Sequence, residues 1–474
     1  MSRNETYVGP LGDIATDEFR AAAHRAVDWI GDYLDTIRER PVLSQVKPGA
    51  IRGSLPAVPP DEGERLEVIF EDFERLILPG VTHWNHPRFF AYFGITGSTP
   101  GILAELLIAA LNVNGMLWRT SPSATEVEEV ACDWLRQAIG LPAGFSGVIN
   151  DTASSSTLYA LTAAREAVPG LDVRRRGMAD ARLRLYVSEE AHSSVEKAGI
   201  VLGVGQENVV KVKTDPEFRM DTGALAASIK ADREAGFTPF AVVATVGTTS
   251  VTAIDPVPAI ADICAREKLW LHVDAAYGGA AAVLESHRWV LNGCDRADSI
   301  VVNPHKWLFT PIDCSVLFCR REEVLKQAFS LTPAYLATTD GAVRNLMDFG
   351  SSLGRRFRGL KLWFVLRAFG IEGARRRIEA HIEMAKRLRG WIYEAEDFEL
   401  LAPTIFSTVV FRHRGGDAVN ERIHDAVNAS GEALISHTDV RGSYALRVAI
   451  GNLRTTLEDV RATWELIQKI AASG

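Results

Sequence analysis

The chain has few cysteines and no pattern among them. Cys132, Cys264, Cys294, Cys314 and Cys319 are scattered and odd in number, with no Cys-x-x-Cys. Such spacing offers neither a disulfide framework nor a structural zinc site, and it fits a reducing cytoplasm. Long apolar runs are also missing. The longest, Ile102–Val113, is interrupted by Glu105 and Asn112. A bilayer span needs about 20 apolar residues, so this run reads as a buried helix. The N-terminal stretch has no apolar core, and no secretory signal is expected. There is no block of like charge: 52 Lys and Arg stand against 60 Asp and Glu, a net charge of −8. An acidic chain without a basic stripe argues against nucleic acid and membrane surfaces as partners. Low-complexity tracts and repeats are absent. With 47% hydrophobic and 24% charged residues the composition is globular, which excludes disorder and collagen.

What is present reads as three segments: 1–98, 99–360 and 361–474. In the first, Thr16 is placed to cap a helix running to about Arg40, with Phe19, Ala23, Val27, Ile30, Leu34 and Ile37 forming one apolar stripe. Lys47–Gly63 holds four prolines and reads as an extended, non-helical arm. A second amphipathic helix carries Ile69, Phe70, Phe73 and Leu76 and stops at Pro79-Gly80. Two helices and an arm have too little mass for their own core, so the stripes dock on the main body or on a partner subunit. From about 145 to 320, β-rich runs alternate with helical periods: Leu183–Val187, Val209–Val212, Phe240–Val246, Leu269–Val273, Ser299–Val302 and Ser315–Cys319. This alternation predicts an α/β fold with a mainly parallel sheet covered on both faces. The last segment reads as a smaller α/β unit: a long helix through Gly390, strands at Ser407–Arg412, Ala433–Ser436 and Tyr444–Ala449, and a closing helix Thr456–Ala471.

Ligands of such sheets sit at the carboxyl ends of the strands, so chemistry is sought there. After Val148-Ile149, the hydroxyl-rich Asn150–Thr157 opens a helix, and a helix N-terminus suits a phosphate. An ordinary Ser/Thr cap would look the same. After Val187 comes His192, placed to stack on a flat ring or to move a proton, or simply structural. Thr245–Thr249 puts small hydroxyls at the next strand end. Asp274 ends the buried run Leu269–Val273, where a carboxylate is costly without a cation. Lys306 precedes Trp307, Leu308 and Phe309, an apolar setting that lowers a lysine pKa and favours imine formation. A phosphate cradle, a ring partner, a counter-charge and a buried lysine on successive strand ends are the parts that pyridoxal phosphate requires.

The blocks GVTHWNHPRFFAYF (Gly80–Phe93), SPSATEVEEV (Ser121–Val130), AHSSVEKAG (Ala191–Gly199), ATVGTT (Ala244–Thr249), LHVDAAYGG (Leu271–Gly279), NPHKWL (Asn303–Leu308) and LGRRFRGLKLW (Leu353–Trp363) resemble the group II pyridoxal-phosphate-dependent amino-acid decarboxylases, in particular the aromatic-L-amino-acid decarboxylases. The resemblance implies an aspartate-aminotransferase-like fold (fold type I): a seven-stranded, mainly parallel sheet in a large domain, a small C-terminal α/β domain and an N-terminal helical arm. It implies Lys306 as the lysine that carries the cofactor, Asp274 as the partner of the pyridine nitrogen and His192 as the stacking ring. Thr152, Ala153, Ser154, Asn303 and His305 resemble the phosphate contacts, with Thr249 and Ala276 beside the ring. Tyr335 resembles the loop tyrosine that helps protonate Cα. Aldehyde-forming relatives carry Phe there, so Tyr335 implies simple decarboxylation.

For the substrate side chain, Trp84, Tyr92 and Phe93 match the family's pocket aromatics, and Gly354 matches a position where Gly accompanies larger rings. Asn114 and Met116 stand where animal enzymes carry Ile and Phe, and Ile95-Thr96 replaces Pro-Thr, leaving Trp, Phe, Tyr and DOPA as the open choices. Histidine or glutamate decarboxylation and oxidative aldehyde formation are the alternatives. The family also implies a homodimer, with the Phe19–Ile37 stripe at the interface and Met116 reaching the partner's pocket. A nicotinamide dehydrogenase fits poorly, because Gly203-Val-Gly is followed by Asn208 where a third glycine belongs. A metal hydrolase fits poorly too, because His83 and His86 have no third ligand at helical spacing. Arg355, Arg356 and Arg358 read as a salt-bridged helix start.

Overall fold

The computed structural model describes residues 12–178, 180–331 and 343–473. Seven strands form the large sheet: β1 (Ser146–Asn150), β2 (Leu183–Ser188), β3 (Val209–Val212), β4 (Thr238–Thr245), β5 (Trp270–Asp274), β6 (Ser299–Val302) and β7 (Ser315–Cys319). Their order is β1-β7-β6-β5-β4-β2-β3. Only β7 runs antiparallel to its neighbours; β2 to β6 pair in parallel. The sheet is buried on both faces because successive residues serve two cores. Val242, Ala244, Leu271, Val273, Val316 and Phe318 enter one, while Ala241, Val243, Trp270, Leu317 and Cys319 enter the other. That is the period-2 geometry of a strand with apolar residues at every position. The helix Ala153–Glu166 covers the second face, and Val257–Glu267 the first.

A second, antiparallel sheet has the order β10-β11-β9-β8, formed by β8 (Phe398–Leu400), β9 (Thr408–His413), β10 (Ser436–Val440) and β11 (Ser443–Ala449). The sequence reading missed β8 and placed β10 three residues early, because Ala433–Ile435 is apolar but packs beside the sheet, with Ala433 and Ile435 in its core and Leu434 against Val42 and Phe89. The long helix Arg358–Glu394 is broken at Gly370, where φ is +62°, a left-handed value suited to glycine. Leu362 and Leu366 before the break, and Ile378 and Ile382 after it, pack with the large sheet, whereas Met384, Leu388 and Ile392 pack with the small one.

The N-terminal segment departs from expectation in detail. Helix Thr16–Asp35 is preceded by Ala15 as cap, so Thr16 does not cap it, and it gives way to a 3-10 turn at Ile37–Glu39. The proline-rich arm contains a short helix, Ala50–Ser54, which fits between Pro48 and Pro56. Helix Thr99–Leu111 is buried on one side only: Leu103, Leu106, Leu107 and Leu111 are exposed. Among the described residues, no helix is long and apolar enough to cross a membrane.

Candidate active site

The carboxyl ends of β2, β4, β5 and β6, with the turn after β1, surround a cavity of about 150 Å3. Its wall includes Phe93, Thr152, Ala153, Ser154, His192 and Thr249, and also Asp274, Ala276, Asn303, His305 and Lys306. Every cofactor position expected from the sequence therefore lies on one surface. Tyr335 lies outside the described residues.

Thr152 precedes helix Ala153–Glu166 in an extended conformation, and its side chain forms no cap hydrogen bond. The hydroxyls here do not consume the helix's first N–H groups, which leaves those donors for an anion. Ser156, one turn on, is committed elsewhere: it bonds Asn150 at 3.1 Å and Ser315 at 2.9 Å, tying the turn to β7.

His192 opens the helix Ser193–Val201, and its Nδ1 accepts the Ser194 N–H at 3.1 Å. The ring faces the cavity, and desolvation lowers its pKa against the pull of Asp274. It thus presents a neutral, flat face. Gly247, with φ +92°, turns the chain after β4; a Cβ there would meet the Gly278 amide nitrogen at 3.1 Å. This close approach brings Thr249 to the cavity.

Proton counting orients Asn303. As placed, its Nδ2 lies 3.3 Å from His305 Nε2 and its buried Oδ1 has no partner among the described residues. His305 Nδ1 already accepts the Cys314 N–H at 2.9 Å. Burial, reinforced by the Lys306 charge, holds the ring neutral with a pKa near 3, so Nε2 carries the remaining proton. The amide oxygen therefore belongs on His305 and the NH2 group faces the cavity, a donor suited to a phosphate.

Asp274 ends β5 almost fully buried, and among the described residues its side chain accepts only the Ala276 N–H, at 3.1 Å. Lys306, in the short helix Pro304–Trp307, opens its tip to the cavity. Desolvation lowers its pKa; Asp274 opposes this and Arg447 reinforces it. A buried carboxylate without an ion-pair partner and a lysine biased toward its free amine fit a cofactor that has a protonated ring nitrogen and an aldehyde.

Below the lysine, Phe93, Tyr277 and Trp307 stack with centroids 3.9 and 4.7 Å apart. The sequence reading placed Phe93 but missed Tyr277 and Arg447. Arg447 lies within β11, bonds the backbone oxygens of Tyr92 and Ser250, and leaves Nη2 buried without a partner among the described residues. Lys306 Nζ and Arg447 Cζ sit 5.0 and 4.7 Å from the Phe93 centroid. A charged residue inside the apolar run Tyr444–Ala449 was the available signal.

The remaining substrate positions do not line this cavity within the chain. Trp84 stacks between Phe89 and Tyr92, at 4.3 and 5.8 Å. Asn114, Met116 and Gly354 cluster separately: Asn114 Nδ2 lies 3.5 Å from Met116 Sδ, and Asn114 Oδ1 accepts the Arg355 N–H at 2.9 Å. The arginines after Gly354 are salt-bridged, with Arg355 on buried Glu128, Arg356 on Glu105 and Arg358 on Asp313. Of the two histidines weighed as metal ligands, His83 bonds Tyr33 at 2.9 Å and His86 accepts the Arg88 N–H at 3.0 Å.

Residues 48–414 match the model of the pyridoxal-dependent decarboxylase conserved domain. The chain is 39% identical to the aromatic-L-amino-acid decarboxylase of Bos taurus, covering 96% of each. It is 38% identical to tryptophan decarboxylase 2 of Oryza sativa, covering 97% of this chain and 95% of that one. Among solved structures, Catharanthus roseus tryptophan decarboxylase in complex with L-tryptophan superposes with a TM-score of 0.92 at 35% identity, covering 98% of this chain and all (100%) of the other. Oryza sativa TDC with PLP and tryptamine gives 0.94 at 37%, covering 98% and 99%. A lysine and an aspartate at adjacent strand ends, a neutral histidine and an open helix N-terminus on a fold type I sheet thus coincide with likeness over nearly the whole chain, and the protein belongs to the family of pyridoxal-phosphate-dependent decarboxylases.

Proposed function

We propose that the protein decarboxylates an aromatic L-amino acid to its amine. The observation that carries this reading is a pair facing one cavity: Asp274, a buried carboxylate with no ion-pair partner among the described residues, and Lys306, a buried amine whose pKa desolvation lowers. Pyridoxal phosphate supplies the electron sink that takes up the pair left when CO2 departs. The helix N-terminus at Ala153, with Ser154 and the Asn303 amide that His305 orients, holds its phosphate. Asp274 keeps the proton on the ring nitrogen, and His192 covers the ring. Lys306 offers a free amine to the cofactor. Tyr335 returns a proton to Cα; with Phe in its place and dioxygen as the two-electron oxidant, product shifts from amine toward aldehyde, with ammonia and hydrogen peroxide released. The residues around Lys306 would orient the bound amino acid so that its carboxylate bond is the one broken, and the aromatic stack below Lys306 excludes water from that region. The named activities of the relatives, on tryptophan, on tyrosine and on aromatic amino acids generally, support an aromatic substrate.

We further propose a homodimer. An apolar groove of about 770 Å3 runs between helix Thr16–Asp35 and helix Thr99–Leu111, and Phe19, Val27, Ile69, Leu103 and Leu106 are exposed along it. A patch of that size calls for a partner, and a second copy would also bring Met116 and Asn114 toward a neighbouring cavity. The segments 1–98, 99–360 and 361–474 serve as dimerisation arm, cofactor domain and small domain. Five reduced, buried cysteines support a cytoplasmic location.

The test is a panel of free amino acids with detection of CO2 and amine. Best turnover of tryptophan, phenylalanine, tyrosine or DOPA is expected; best turnover of glutamate or histidine overturns the substrate assignment.

A further inference from the structure

Trp307, the residue after Lys306, is fully buried, and its indole N–H needs an acceptor. It finds one in the second half of the broken helix: Trp307 Nε1 donates to His381 Nδ1 at 3.0 Å. The other nitrogen, His381 Nε2, donates to the backbone oxygen of Asn452 at 3.1 Å. The Asn452 amide in turn donates to the carbonyls of Trp84 and His86, at 3.2 and 2.9 Å. An indole is only a donor, so His381 must be the neutral tautomer with its proton on Nε2. Burial agrees, lowering its pKa to about 4. This chain joins the lysine turn to the small domain and to the aromatic segment at Trp84. A second polar tip follows the same route: Tyr277, stacked on Trp307, bonds Ser407 at 2.7 Å.

We propose that His381 is a positioning residue for Lys306. By fixing the indole of Trp307 it sets the tilt of the Phe93–Tyr277–Trp307 stack on which Lys306 rests, so the small domain controls where the reactive amine points. An apolar residue of similar size at position 381 would keep the packing and lose this control, leaving a buried N–H without a partner. The inference rests on Lys306 as the cofactor lysine, and trapping the cofactor on that residue tests that assignment independently.

The experiment uses holoenzyme variants shown to hold one cofactor per chain, so failure to load is separated from mispositioning. In His381→Leu, kcat falls about tenfold with KM within twofold, since small misplacements of reacting groups are costly, and the visible circular dichroism of the bound cofactor falls per mole of cofactor. His381→Asn places Oδ1 where Nδ1 was; it keeps kcat within about threefold and retains the dichroic band. Trp307→Phe removes the other partner, and adding His381→Leu to it gives no further loss. If His381→Leu does not fold, the comparison of Trp307→Phe with and without His381→Asn carries the same test. An unchanged dichroic band and kcat in His381→Leu overturn the proposal. So does an Asn variant no better than the Leu variant, or additive losses with Trp307→Phe.

Discussion

At the amino ends of the large sheet lies a cavity of about 680 Å3 ringed by Arg233, Arg296, Arg320, Arg321, Glu267 and Asp298; at the carboxyl ends lies one of about 150 Å3 around Lys306 and Asp274. The larger is electrostatically closed. Arg296 meets Asp262 at 2.7 Å, Arg233 meets Glu267 at 3.4 Å, and Asp298 stands 3.7 and 3.9 Å from Arg320 and Arg321. In the smaller, Asp274 has no ion-pair partner among the described residues and Asn303 has an amide atom to spare. Volume does not mark the site; uncompensated charge at a strand end does. Two lysines repeat the contrast. Lys361 is fully buried and meets Glu105 at 2.6 Å and Asp313 at 3.4 Å, whereas Lys306 has only the more distant pull of Asp274 against burial. One lysine is a structural ion pair; the other is the one proposed as the nucleophile.

The contrast is broken or sharpened by substitutions at both ends. The largest effect is expected for Lys306→Ala, which should lower kcat by at least about 10^4-fold, as losses of a central reacting group do; Lys361→Met should reduce thermal stability and still turn over substrate. Next is Asp274→Asn, which removes a preorganised counter-charge and should cost about 10^2 to 10^3-fold in kcat, measured in the same assay. A smaller effect is expected from Arg447→Gln. A nearby positive charge lowers the Lys306 pKa, so removing it should raise that pKa. The pH at which the apoprotein reacts half-maximally with pyridoxal should therefore move upward, and a downward shift would reverse the sign argued here. Smallest is Asp298→Asn at the amino end: kcat should stay within about twofold, while unfolding free energy drops by about 1–2 kcal/mol from a weakened hydrogen bond to the Leu271 N–H and lost ion pairs with Arg320 and Arg321.

The sheet was legible because its strands are continuous apolar runs, and Val209–Val212, Ser299–Val302 and Ser315–Cys319 matched to the residue. That the residues proposed to hold the cofactor share one cavity wall was legible because strand-end residues are local in sequence. Arg447 and His381 were not, because each reaches the site across more than 70 residues from another unit, and a single Arg or His carries no periodic signal. The run Ile102–Val113 was read as a buried helix because it is almost wholly apolar; helix Thr99–Leu111 instead exposes Leu103, Leu106, Leu107 and Leu111, a face the proposed dimer would cover. Gly354, Asn114 and Met116 form a cluster of their own, away from the cavity, which the sequence did not show.

The most direct test distinguishes the two buried lysines. The holoenzyme is reduced with borohydride, digested, and the cofactor-bearing peptide identified by mass. The label is expected on Lys306, in the peptide containing Asn303-Pro304-His305, with none on Lys361. A label on any other lysine would contradict the assignment of the carboxyl-end cavity as the active site.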